Sequence, residues 1–307
     1  MRPMKLISYT QGTGPRCGLA LSETVGIDLL AAQPALAGNW HALFQDMAPV
    51  RKVHATLAGQ VGEMEKTRLG GGELPLPFVN LTRVEWLSPV ILPSKIICVG
   101  LNYQDHAEEQ KRTAPTAPIL FSKAATCLQV PGGPVEIPDF CRHMDAEGEL
   151  AVIIGKPGLG IPREKAGEHI VGYTCFNDIS DREAQRADRQ FFRGKSMDTS
   201  GPCGPWIVTP DELPDPLARG LDITCRWNGS LMQSSNTDQL IFPVDELVSY
   251  ISRTITLLPG DIISTGTPGG VGVFRDPPVF LKTGDTVTVE IQGIGKLTNP
   301  ITRRAEP

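Results

Sequence analysis

Apolar residues in this chain fall into short runs bounded by Gly, Pro or Asp, a pattern of strands rather than of long helices. Near the start, residues 5–9 read as a strand. Residues 18–21 and 25–29 read as a hairpin across Ser22-Glu23-Thr24. Residues 40–47 and 52–57 read as helical. Gly70-Gly71-Gly72, followed by Pro75 and Pro77, is the strongest linker signal. It predicts a small α+β N-terminal domain over residues 1–85 and a larger domain over 86–307. In the larger part, residues 96–99, 119–121, 150–154, 170–176, 206–209, 221–227, 261–265 and 286–291 read as strands. Two helices are predicted among them: a short one at 163–170, and one at 244–257 with apolar residues at Val244, Leu247, Val248, Ile251 and Ile255. So many strands and so few helices predict a β-rich α+β fold, a roll or barrel rather than a βαβ sandwich.

Composition narrows the chemistry. The 307 residues are long enough to bury a core without disulfides or a structural metal. With 29 basic and 34 acidic residues the net charge is −5, so nucleic acid is not an expected partner. Residues 1–14 hold no apolar run of signal-peptide length, and no stretch approaches the ~20 apolar residues of a membrane span. No membrane partner and a cytoplasmic location are expected. Seven widely spaced cysteines without a C-x-x-C pair read as buried reduced thiols. Acidic residues far outnumber the 5 His and 7 Cys, which points to oxygen rather than zinc-type metal ligation.

Five segments could carry chemistry. In Asp145-Ala146-Glu147-Gly148-Glu149, Glu147 and Glu149 are two apart on a strand and project side by side. They read either as part of a hard-cation cage or as a solvated strand edge. Asp178, at the end of the run 170–176, is a third candidate ligand or a turn residue. Arg182 and Gln185, three apart, could clamp an anion. After strand 96–99, His106 and Glu109 could meet on one helix face as a general base and its orienting acid, or as a surface ion pair. Polar residues 104–118, with Pro115 and Pro118, suit a lid hinged near Gly100. Lys195, in a short Gly-framed segment, could face a developing enolate or solvent. Ser264 to Gly272 is Gly-rich but has no Lys and no following helix, so it is not a P-loop. It reads as a pocket loop whose hydroxyls and amides could hold a carboxylate.

These segments occur in the order CVGLNYQDHAEE, EGELAVIIG, GYTCFNDISDREAQ, GKSMDTSGPCGPW, NGSLMQSSNT and PGDIISTGTPGGVG. From about residue 94 to 300 this order resembles the fumarylacetoacetate hydrolase family, especially its short members that act on 2-oxo or 2,4-dioxo acids. The resemblance implies a mixed β-sandwich roll, usually homodimeric, with a smaller N-terminal domain. It implies Glu147, Glu149 and Asp178 as Mg²⁺ or Mn²⁺ ligands, and His106 with Glu109 as a base dyad on a lid. Lys195 is implied beside the metal, and Arg182, Gln185, Thr267 and Tyr103 at substrate. Longer members carry a fourth acidic ligand where Asn102 and Tyr103 stand here, so a water is expected in its place. The implied activity is metal-assisted C–C hydrolysis of an acylpyruvate-type 2,4-dioxo acid. Oxaloacetate decarboxylation or tautomerisation, ureidoglycolate cleavage and dienoic diacid isomerisation remain alternatives on the same site. A catalytically inactive binding protein on this fold is the non-enzymatic alternative.

Overall fold

The computed structural model describes residues 4–12, 14–36 and 40–304. Its frame is a mixed sheet of twelve strands facing a second sheet of five. From the N-terminal edge, the larger sheet runs through Phe78–Asn80, Val25–Asp28, Pro15–Ala20 and Lys5–Thr10. It continues through Gly201–Val208, Ile170–Asn177, Gly148–Ile154, Ile262–Ser264, Ile96–Gly100 and Ile119–Lys123. The expected hairpin forms, with Gly18, Leu19 and Ala20 opposite Asp28, Ile27 and Gly26. Lys5 and Leu6 then pair with Val208 and Ile207, so the first strands extend the sheet that carries the later ones. The smaller sheet orders Ser230–Asn236, Asp222–Trp227, Thr286–Ile291, Gly295–Arg303 and Val135–Ile137. The result is the β-rich α+β architecture expected from the strand pattern.

The strand Gly148–Ile154 shows why its sequence is an unbroken apolar run. Its Leu150, Val152 and Ile154 enter the core shared with the five-stranded sheet, against Ile223, Val287 and Val289. Its Ala151 and Ile153 enter a second core with Val50, Val53, Val61 and Met64 from the helices Ala48–Leu57 and Val61–Leu69. A strand buried on both faces has no polar side to alternate with.

Several expectations need correction. The helix expected at 52–57 starts at Ala48, and Val61–Leu69 was not anticipated. The segment expected as a helix at 163–170 is a 3₁₀ stretch, Arg163–His169. The helix expected to reach 257 ends at Ser252, whose carbonyl accepts from Gly160 N–H at 2.6 Å and whose hydroxyl accepts from Ile161 N–H. Ser230–Asn236 and Gly295–Arg303 are strands that the apolar pattern did not show. The first is an edge strand in which five of seven residues are polar, and the second carries exposed Lys296, Thr298 and Pro300 between buried Leu297, Asn299 and Ile301. All seven cysteines are free and six are buried, Cys17 being intermediate. Among the described residues, no helix is long and apolar enough to cross a membrane.

Candidate metal-binding active site

Antiparallel pairing places the acids. Gly148 lies opposite Asn177, so residues entering one strand meet residues leaving the other. Two hydrogen bonds lock this junction: Asp178 N–H donates to the Glu147 carbonyl at 2.9 Å, and Glu147 N–H to Asn177 Oδ1 at 3.1 Å. Glu147, Glu149 and Asp178 therefore converge, each offering a carboxylate oxygen within 4.8 Å of the others, and all three are buried.

Buried cations surround them. Lys195 Nζ donates to Glu147 Oε2 and to Asp178 Oδ2, both at 2.6 Å. Lys123 Nζ donates to Asp178 Oδ1 at 2.8 Å and also to the carbonyls of Ile179 and Ser200. Arg182 reaches Glu147 Oε1 at 2.6 Å and Asp145 Oδ2 at 2.8 Å. Burial opposes ionisation of Glu147, but Arg182 and Lys195 outweigh it and hold the group well below the usual carboxylate range. Burial likewise opposes the charge of Lys195, and Asp178 and Glu147 outweigh it, raising the ammonium.

Glu149 differs. Its Oε2 accepts from Ser264 Oγ at 2.5 Å and from Gly266 N–H at 3.0 Å, but among the described residues no cationic side chain bonds to it. Burial, followed by the charges of Asp178 and Glu147, pushes it well above the usual range. Four buried carboxylates, Asp145, Glu147, Glu149 and Asp178, thus face three buried cations, Lys123, Arg182 and Lys195. This cluster is one positive charge short, and its donors are all oxygens. Both properties fit a hard divalent cation.

The Gly-rich segment after Ser264 does hold carboxylates, but they are the protein's own. Gly266 N–H binds Glu149, Gly269 N–H binds Asp105, and Gly270 N–H binds Glu109. Gly272 and Val273 N–H both bind Asp145. One loop therefore fixes a candidate metal ligand, the anchor of Arg182 and two acids of the helix Gln104–Glu109. Asp105 is tied a second time, accepting from Ser235 Oγ at 2.5 Å.

That grip sets the dyad. Glu109 Oε1 accepts from Gly270 N–H at 2.9 Å, leaving Oε2 to accept from His106 Nδ1 at 3.0 Å. A carboxylate only accepts, so Nδ1 carries a proton, and in the neutral imidazole Nε2 then keeps the lone pair. Gln110 Nε2 lies 2.7 Å from that second nitrogen and donates to it.

A cavity of about 330 Å³ joins these parts. Glu147, Glu149, Lys195 and His106 line it, with Arg182, Gln185 and Thr267, and its walls include Phe121, Phe191, Val273 and Phe274. Arg182 reaches the cavity with its donors committed to Asp145, Glu147 and Gln185. Gln185 gives its Oε1 to Arg182 and keeps its amide N–H groups free among the described residues. Thr267 Oγ1 donates to the Gly148 carbonyl and accepts from Gln233. Tyr103 is not among the cavity-lining residues. It is fully buried, and its hydroxyl has no hydrogen-bond partner among the described residues. Asn102 bridges the Thr265 and Phe242 backbones and so fixes the loop's start. Sequence reasoning missed Lys123 and Asp145. Lys123 ends an ordinary strand run in FSK, and only the fold brings it to Asp178. Asp145 lay beside the proposed ligands, but nothing in the spacing tied it to Arg182.

The chain matches the family described as fumarylacetoacetate (FAA) hydrolase C-terminal over residues 95–302. It belongs to the fumarylacetoacetate hydrolase family. This is a family of enzymes, and the match begins just before the strand Ile96–Gly100. The chain is 42% identical over 306 residues to a Bos taurus protein named oxaloacetate tautomerase FAHD2B, mitochondrial, covering 98% of this chain and 92% of that one. The solved structure of fumarylacetoacetate hydrolase from Exiguobacterium antarcticum is 34% identical with a TM-score of 0.79, covering 98% of this chain and 100% of that one. A 2-hydroxyhepta-2,4-diene-1,7-dioate isomerase from Mycobacterium marinum is 31% identical with a TM-score of 0.74, covering 99% and 100%.

Proposed function

We propose that this member of the family catalyses divalent-metal-assisted keto–enol tautomerisation of a small 2-oxo dicarboxylic acid of the oxaloacetate type. One observation carries the reading: His106, bonded through Nδ1 to Glu109, lines the same cavity as the buried carboxylates Glu147 and Glu149. A base beside an oxygen-ligand cage is what proton movement next to a 2-oxo group requires. The names of the bovine tautomerase and the mycobacterial isomerase support a proton-transfer outcome. Acylpyruvate hydrolysis, the activity first expected from the sequence, uses the same residues with an added attacking water.

Glu147, Glu149 and Asp178 would hold Mg²⁺ or Mn²⁺, which when bound supplies Lewis acidity to the developing enolate oxygen. In the enol-to-keto direction, His106 Nε2, once substrate displaces the Gln110 amide from it, takes the enol O–H proton and delivers it to the adjacent carbon. The reverse direction reverses both transfers. Glu109 accepts the Nδ1–H bond throughout and offsets the imidazolium charge between the two transfers. Lys195, anchored by two carboxylates, keeps a fixed positive charge beside the enolate. The free N–H groups of Gln185 are placed to donate to a substrate carboxylate, while Arg182 holds Glu147 and Gln185 in position. The apolar walls exclude water from the reactive enolate. The homodimer implied by the family resemblance belongs to this reading and is tested by light scattering against the 33.2 kDa chain mass.

The deciding assay follows enol-oxaloacetate by its ultraviolet absorbance with MgCl₂, while pyruvate and carbon dioxide are quantified. Protein-dependent decay without either product, abolished by EDTA, is expected. His106→Ala should lower kcat by about 10²–10⁴, the usual contribution of a general base. No acceleration of the decay, or faster cleavage of acylpyruvates to pyruvate, would refute the tautomerase reading.

A further inference from the structure

The cavity carries more positive charge than its buried end uses. Its lining includes four permanent cations, Arg112, Arg182, Arg186 and Lys195, but only two acids, Glu147 and Glu149, in a protein of net charge −5. Arg182 and Lys195 are buried and already bonded to carboxylates. Arg112 and Arg186 are exposed and have no ion pair or side-chain hydrogen bond among the described residues. Arg193, near Arg186 in the chain, shows the contrast, because it is paired with Asp188.

The two free arginines come from different elements. Arg186 lies on the helix Arg182–Ala187, one residue beyond Gln185. Arg112 follows the helix Gln104–Glu109, and its N–H is fixed by the Ala107 carbonyl at 2.9 Å. Besides these charged groups the lining is largely apolar, with Val99, Leu101, Ile119, Phe121 and Phe191. A ligand in the cavity would therefore meet buried oxygen ligands and a base, carbon-facing walls, and two exposed guanidinium donors. Arginine suits a carboxylate because its planar fork can donate two parallel hydrogen bonds.

We propose that Arg112 and Arg186 form a subsite for a second carboxylate, which selects 2-oxo dicarboxylic acids over 2-oxo monoacids. This deepens the proposed function and rests on it for the orientation of the 2-oxo acid end. The subsite also favours diacids whose second carboxylate reaches the exposed end of the cavity, so affinity should vary with chain length.

The test measures binding to Mg²⁺-loaded full-length protein by calorimetry, with matched pairs of unreactive probes. The pairs are 2-oxoglutarate with 2-oxopentanoate, and 2-oxoadipate with 2-oxohexanoate. Wild-type protein should prefer the diacid of at least one pair by about tenfold or more, the size of a charge-assisted hydrogen bond. In Arg112→Gln and Arg186→Gln the preference should fall severalfold, and in the double variant it should approach one. Raised salt should erode it in the wild type, as expected for an exposed pair. Equal binding of both pairs by the wild type, or a preference unchanged within twofold in the double variant, overturns the subsite. The enol-oxaloacetate assay on the same preparations keeps the two readings apart. An arginine-dependent diacid preference without tautomerisation leaves the subsite standing and removes the reaction. Tautomerisation without the preference does the opposite.

Discussion

Replacing Glu109 with Gln tests whether this carboxylate makes His106 a base. In the native site its two oxygens accept from two different N–H groups, His106 Nδ1 at 3.0 Å and Gly270 N at 2.9 Å. A glutamine offers one oxygen and one NH₂, so one of those donors must face another donor. If the oxygen stays on His106, the contact loses its charge assistance, which costs about 1–1.5 kcal/mol, and Gly270 N–H is left opposed. If the oxygen turns to Gly270, the NH₂ faces Nδ1 and drives the ring proton to Nε2, removing the lone pair. With about 1–3 kcal/mol for the opposed donor, the total is about 2–4.5 kcal/mol, or roughly 30- to 2000-fold in kcat. The assay is the rate of enol–keto exchange at saturating substrate and Mg²⁺, with calorimetric Mg²⁺ affinity and circular dichroism as controls. A lower kcat with Mg²⁺ affinity held within about threefold is expected. A folded variant with kcat within threefold of wild type would refute the orienting role.

Other perturbations probe the charge arrangement. Glu149→Gln should abolish the Mg²⁺-induced rise in melting temperature while leaving the EDTA-treated protein no less stable, because among the described residues Glu149 has no hydrogen-bonded cationic partner to orphan. A preserved Mg²⁺ effect would remove Glu149 from the ligand set. Lys123→Met leaves Asp178 and two backbone carbonyls short of a donor and should cost about 3–5 kcal/mol. A melting temperature within about 2 °C of wild type would contradict that figure. Burial opposes the Asp28 charge, but Arg16, the Tyr9 hydroxyl and Ala31 N–H outweigh it and hold the folded pKa below its ordinary 3.8. A depressed carboxylate contributes stability above its unfolded pKa and loses it as pH falls through the folded one. The stability gap between wild type and Asp28→Asn should therefore narrow as pH drops below about 4. A gap independent of pH would show that the bonded charge is not its source.

Much of the site was legible in the sequence because its spacings are local. Glu147 and Glu149 lie two apart at a strand entrance, and His106 and Glu109 three apart on a helix. Both spacings fix a shared face before any tertiary contact forms. Asp178 was legible because it ends an apolar run. The partners brought in from far along the chain were not legible. Lys123 is 55 residues from Asp178, and Gly270 is 161 from Glu109, so no local period links them. The Ser264–Gly272 segment shows the same limit: its composition announced amides for a carboxylate, but only the fold shows that the carboxylates are internal. The strand Ser230–Asn236 escaped notice because a polar edge strand carries little hydrophobic signal, and the helix after Val244 stopped early because Gly160 captures its last carbonyl.

The single loop that grips both the helix Gln104–Glu109 and the buried acids has a consequence for selectivity. Any outward swing of that helix breaks the Gly269–Asp105 and Gly270–Glu109 contacts together and releases Glu109 from its position under the imidazole. On the proposed function, the base would therefore be aligned only while the helix is docked, as it is in this structure. A bulky 2-oxo acid that props the helix away would still meet the carboxylate cage but would find no aligned proton acceptor. Such compounds should behave as dead-end occupants rather than slow substrates, so rejection by size would show in turnover more than in affinity.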